Sequence, residues 1–219
     1  MSSKTSTPSL HSWRFERRTR WLLVAVSLAA AATSHRAAAA PAKPSKAHGA
    51  LRPCPTGVPA AIDPPPSVTL TAAVAANGVQ IYACSAPKPG EAPAWTLEGP
   101  HATLTQGNEV VGIHFAGPAW QALDGSSVKG AKLAAADAPA ATAVPWLLLS
   151  GTATGDGTFG QVTHVQRLET TGGKPPSIGC DTAHLGAKVL VPYTSSYFFY
   201  RPAAPGENIL QCRSTTPHG

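Results

Sequence analysis

The chain has 219 residues, a formal net charge of +6 and only 13% charged residues. At 43% hydrophobic residues it is too apolar for a disordered chain, and its length suits one compact domain of ordinary size. Six of the 17 basic residues and one of the 11 acidic ones fall within residues 1–40, leaving 11 against 10 and a net charge of about +1 beyond them. The basicity is therefore local to the N-terminal segment, and a basic groove for nucleic acid is excluded.

Arg17, Arg18 and Arg20 precede an uncharged run, WLLVAVSLAAAA at 21–32, and a small-residue tract, AAAA at 37–40. That order predicts a Sec-type signal peptide over residues 1–40, cut near 38–40. Arg20 sits where a twin-arginine signal needs an apolar residue. The apolar run is too short to span roughly 30 Å of hydrocarbon as a helix, so the expectation is a periplasmic or secreted protein with no membrane segment after cleavage. Residues 41–66, rich in Pro, Ala and Lys, read as an extended lead-in, residues 67–213 as one domain, and 214–219 as a C-terminal tail.

Cys54, Cys84, Cys180 and Cys212 show neither C-x-x-C nor zinc-finger spacing. An even count in an exported chain favours disulfides. Three connectivities are open, of which Cys84–Cys180 inside the domain with Cys54–Cys212 tying its ends is preferred.

Within 67–213 the hydrophobic pattern has period two. Residues 78–84, GVQIYAC, set Val79 and Ile81 against Gln80 and Tyr82, and 109–115, EVVGIHF, set Val111, Ile113 and Phe115 against Val110, Gly112 and His114. Residues 131–143 are the one helix candidate, limited by Pro139. A continuous apolar run at 146–149 suits a strand buried on both faces, 159–169 alternates again, and 196–200, SYFFY, is β-prone. Gly and Asn/Asp turn signals separate these runs. The predicted fold is all-β, a disulfide-stabilised single-domain sandwich or barrel with long loops.

Gly155, Gly157 and Gly160 spell G-x-G-x-x-G, with Asp181 about where a ribose-binding acid falls. That fingerprint requires the third glycine to open a helix facing a pyrophosphate. Here it leads into QVTHVQRL, a β pattern, so a dinucleotide-dependent dehydrogenase is rejected. The glycines are expected to shape the turn between a strand at 146–151 and one at 159–169.

Several phrases together, GVQIYAC, VGIHFAGPAW, DGSSVKG, VPWLLL, FGQVTHVQRLETTGGKPP, GCD and VPYTSSYFFYRP, resemble the exported bacterial and fungal family of domain of unknown function 3455 over about residues 79–200. The resemblance implies an extracytoplasmic domain and a characteristic pair at Cys84 and Cys180, and no known reaction. Where relatives tend to have Tyr in the VT-x-x-QR phrase, this chain has His164, which weakens any catalytic or metal role for that residue.

His114 ends a strand in H-x-x-G-P-x-W, and Asp124 opens a D-G-S turn. They are the candidates for a general base or ligand pair, against the plainer reading of a turn aspartate and a carbonyl-bonded histidine. His114, His164, His184 and Asp181 are weak metal candidates, because none has the spacing that places two on one face. Trp120, Tyr193, Tyr197 and Tyr200 are the aromatics proposed to stack on sugar rings. Arg167 is expected to form a structural lock with Asp181 or Glu169. The preferred function is a non-enzymatic binding module for polysaccharide or another envelope or extracellular ligand, with no cofactor. The alternatives are an extracellular enzyme, metal-dependent or hydrolytic, centred on His114 and Asp124, and a structural or protein-partner domain.

Overall fold

The computed structural model describes residues 53–214 except 87 and 89; the expected signal segment, residues 41–52 of the lead-in and residues 215–219 lie outside the described residues. Eight antiparallel strands run in chain order: β1 (Val68–Ser85), β2 (Ala94–Gln106), β3 (Glu109–Phe115), β4 (Ala119–Ala122), β5 (Ser127–Ala136), β6 (Trp146–Thr154), β7 (His164–Gly172) and β8 (Lys188–Pro202). Each pairs with the next, and β8 pairs with β1 from Val68↔Pro202 to Ala83↔Lys188, so the sheet closes into a barrel. Closure removes both sheet edges, and with them the unpaired backbone that an open sheet would leave exposed. Among the described residues no helix is long and apolar enough to cross a membrane.

The one helix candidate, residues 131–143, does not form a helix. Its first half is strand β5, with Ala136 paired to Trp146. Alanine favours helix in isolation, but the ladder to β6 satisfies the same backbone groups and the strand points Val128 and Gly130 into the barrel. The strand expected at 159 starts only at His164, because residues 155–163 form the β6–β7 loop.

The barrel has two apolar layers. Ala72, Val74, Leu104, Trp120, Leu149, Val165, Tyr197 and Phe199 belong to the interior cluster. The outward faces of β1, β6, β7 and β8 are buried as well, where Leu70, Trp146, Leu148, Leu168, Phe198 and Tyr200 pack with Val58, Ile62 and Cys212. The run at 146–149 is thus buried on both faces, as its continuous apolar pattern required. Both ends of the described chain are latched over this outer layer. Gln166 Nε2 donates to Ile62 O at 2.7 Å, Leu70 N to Leu210 O at 2.7 Å and Ser214 N to Asp63 Oδ1 at 2.7 Å. The Cys54–Cys212 disulfide fastens the two segments together, while Cys84–Cys180 ties the β7–β8 loop to the end of β1.

The turns β2–β3, β4–β5 and β6–β7 share one end of the barrel, and the β6–β7 loop folds in to close it. Phe159 and Val162 are each 1% exposed, and Phe159 lies against Phe199 with ring centroids 4.4 Å apart. Asp124 holds this plug. Its carboxylate accepts from Ser126 N (2.9 Å) and Thr158 N (2.8 Å) and from the hydroxyls of both residues, while Ser126 Oγ accepts from Phe159 N (3.0 Å). The G-x-G-x-x-G stretch is this plug: a Cβ on Gly157 would meet the Asp124 carboxylate at 2.6 Å, and one on Gly160 the Gly155 carbonyl at 2.5 Å. Partial burial works to raise the Asp124 carboxyl, but the four hydrogen bonds hold it far below the usual carboxylate range. An Asp124→Ala variant is expected to lose about 2–4 kcal/mol of stability, a melting temperature lower by roughly 5–15 °C. A thermal scan checks it, and a loss below about 1 kcal/mol would mean that Phe159 packing alone holds the plug.

Candidate functional site

At the opposite end the barrel is hollow. A cavity of about 430 Å³ is lined from six strands by Gln80, His114, Trp120, Lys132, Arg167 and Tyr197, with Leu97, Pro118, Leu147 and Leu149 completing its wall. An eight-stranded barrel has an interior just wide enough to be filled by side chains or to hold one small ligand. Here Gly130 makes the difference for Trp120, because a Cβ at 130 would meet the indole at 2.9 Å.

The alternating strands β1 and β3 turn their more polar faces inward. Gln80 and Tyr82 are 1% and 6% exposed while Val79 and Ile81 are only half-buried, and His114 is 1% exposed while Ile113 is 42% exposed. A polar residue inside a barrel requires a partner, and several here lack one. Gln80 Nε2 and Trp120 Nε1 are buried without a hydrogen-bond partner among the described residues. The hydroxyls of Tyr193 and Tyr197 are likewise buried, with no partner among the described residues beyond each other's proximity. Burial, and then the Tyr197 hydroxyl, push the Tyr193 phenol far above its usual value, so it remains a neutral donor.

His114 is stacked on Trp120, centroids 4.5 Å apart and planes 6° from parallel, with Tyr197 edge-on at 5.0 Å. Its Nδ1 lies 2.8 Å from the Ala119 carbonyl, which can only accept, so Nδ1 carries the proton and Nε2 is an acceptor. Burial holds its pKa down to about 3, the Ala119 bond opposing and the Arg167 charge assisting. His114 is a neutral imidazole across the ordinary pH range.

Arg167 points inward from β7, and its guanidinium donates through Nε (3.1 Å) and one terminal nitrogen (2.7 Å) to the Pro145 carbonyl. The lock expected with Asp181 is not formed: Asp181 caps the 3₁₀ turn Thr182–His184, accepting from Ala183 N at 2.9 Å and pairing with His184 Nδ1 at 2.7 Å. Glu169 accepts from Ser196 Oγ. Inward and outward positions alternate along β7, and that geometry sends Arg167 into the barrel and away from the exposed β7–β8 loop.

Three further expectations are corrected. His114 and Asp124 do not pair: the first lines the cavity and the second fastens the plug at the other end. The four aromatics make no surface platform, since Trp120, Tyr193, Tyr197 and Tyr200 are each 2% exposed or less. Trp120 and Tyr197 line the cavity from within, Tyr193 lies in the interior cluster, and Tyr200 sits in the outer layer bonded to Gln166 Oε1 and Cys212 N. His114, His164 and His184 do not converge either, because His164 bonds Thr163 Oγ1 and His184 bonds Asp181. Among the described residues no three His, Cys, Asp or Glu side chains gather in a way that could hold a metal ion.

Residues 105–201 match the family model described as protein of unknown function (DUF3455). The chain resembles that family. The matched stretch begins after β1, so the GVQIYAC phrase lies outside it, but most of the cavity wall lies inside: His114, Trp120, Lys132, Leu149, Arg167 and Tyr197 are DUF3455-matched positions, and Gln80 and Leu97 are not. No curated protein and no solved structure matches the chain. The DUF3455 description assigns no activity, which leaves the chemistry of the cavity as the guide to function.

The sequence pattern does not mark Gln80, Lys132 or Leu97 as site residues. The one sequence signal is the polar face of β1, Gln80 and Tyr82, which marks a site once that face points inward.

Proposed function

We propose that this protein is an exported, non-enzymatic binding domain that holds one small ligand inside the open end of its barrel. The observation that carries this reading is the cavity of about 430 Å³ whose wall includes the buried, unpartnered donors Gln80 Nε2 and Trp120 Nε1. Leaving a buried donor unsatisfied costs about 1–3 kcal/mol, and a bound acceptor would recover it. At roughly 30 Å³ per water-sized group, the space suits a ligand on the order of ten to fifteen non-hydrogen atoms, within the range of small-molecule pockets. A polymer lying across exposed rings does not fit, because the rings are inside.

The enzyme alternative is weaker. A general base works best with a pKa near the operating pH, and His114, at about 3, has a backbone carbonyl where a catalytic dyad places a carboxylate. Ser126 is committed to the plug. The two disulfides fit an extracytoplasmic location, and the N-terminal segment supports export.

Titration of the purified full chain with a neutral, environment-sensitive naphthalene dye tests the reading. One dye per chain is expected, with affinity reduced at least tenfold by Leu97→Trp, which fills the rim at a residue 53% exposed. Absence of binding, or binding that Leu97→Trp leaves unaltered, would remove the cavity as the site.

A further inference from the structure

We infer that the ligand of this cavity is an amphipathic carboxylic acid, its carboxylate anchored by Arg167 with Lys132 and its apolar body lying against Leu97, Pro100, Leu147 and Leu149. This rests on the binding reading above and narrows it to a chemical class.

The charge balance of the wall leads there. Among the described residues Arg167 and Lys132 are its cations, and its one acidic residue, Glu98, is paired with Lys188 at 2.9 Å. The partner of the Arg167 guanidinium, Pro145 O, is neutral; it takes two of the five N–H donors and balances none of the charge. That contact also fixes the fork against the wall, so little rotamer freedom remains to be lost when a planar anion arrives.

The unpartnered groups agree with the charges. Gln80 Nε2 and Trp120 Nε1 are donors, and Trp has no acceptor to offer. A ligand that satisfies them must bring acceptors, and a carboxylate brings two oxygens with about four acceptor sites. Apart from His114, Tyr197 and two glycines, the rest of the wall is leucine and proline, which a fully ionic ligand would leave uncompensated. A ligand with one anionic end and one apolar end satisfies both halves of the cavity.

Displacement of the neutral dye by decanoate, 1-decanol and decylamine separates the possibilities. Decanoate is expected to bind at least tenfold tighter than the alcohol or the amine. The ratio of decanoate to decanol affinity is expected to fall at least tenfold in Arg167→Gln and several-fold in Lys132→Met. Lys132 is exposed at the cavity entrance, so its variant remains informative even where Arg167→Gln does not fold. Equal displacement by all three compounds, or unchanged ratios in both variants, would overturn the anion inference while the binding domain stands. Tighter binding of decyl phosphate than of decanoate would overturn the carboxylate assignment. Failure of the dye itself to bind would instead sink the binding reading on which this one rests.

Discussion

Removing the disulfide that joins the two ends, in the double variant Cys54→Ser, Cys212→Ser, is expected to lower the unfolding free energy by about 5 kcal/mol. The bond spans a sequence separation of 158 residues, for which the chain-entropy model gives about 5 kcal/mol from restriction of the unfolded chain. The Cys84–Cys180 bond, with a separation of 96, carries a nearly equal entropic term. What distinguishes the two is what each holds in place. Cys84–Cys180 restrains a β7–β8 loop whose residues are almost all exposed. Cys54–Cys212 clamps the segments that cover Trp146, Leu148, Leu168, Phe198 and Tyr200, so fraying there would also wet apolar surface. Urea unfolding of the oxidised wild type against the double variant measures the difference through the midpoint and slope. A loss below about 1 kcal/mol would show that the bonds from Leu70 to Leu210 and from Ser214 to Asp63 hold the segments without the disulfide.

The second large effect is with acid. In the unfolded chain His114 takes up a proton near its ordinary value of 6.5, whereas in the folded barrel it resists until about 3. The unfolded state therefore binds more protons between these values, and stability rises with pH across that window. The contribution is complete above about 6.5 and is lost progressively as pH falls toward 3, amounting to on the order of 4–5 kcal/mol in full. His114→Gln keeps a donor for the Ala119 carbonyl and removes the titration. Its stability is expected to change much less than the wild type's between pH 6.5 and 4. Asp124 titrates lower still and is common to both proteins, so it cancels in the comparison. Parallel pH profiles for the two proteins would show that His114 can reach solvent and charge within the fold.

The two effects illustrate what sequence and structure each contribute. β3 is legible almost to the residue, because a strand with unlike faces alternates and 109–115 does so without interruption. β2 is not marked by the period-two pattern, and in the barrel its register shifts beside Gly99 while the ladder continues through Pro100. Residues 131–136 of β5 fall within the one helix candidate, because alanine favours helix, and that preference is overridden by pairing with β6. The resemblance to the DUF3455 family rests on phrases that stand in the sequence, and His114 and Arg167 stand out there as a candidate base and a candidate lock residue. Their partners do not, since Ala119 O and Pro145 O are backbone atoms that no side-chain pattern reports.

From the sequence alone come the all-β class, an even set of cysteines in a chain with export-like composition, and the rejection of a dinucleotide site, since these depend on composition, local period and the residues flanking a turn. Tertiary structure alone decides which face of each strand turns inward, because a period of two says that the faces differ and not which one the closed sheet encloses. Closure of β8 onto β1 places Gln80, His114, Trp120 and Arg167 around one space, and the β6–β7 plug fills one end of the barrel and leaves the other hollow. These are properties of distant strands meeting, and no local stretch of the chain contains them.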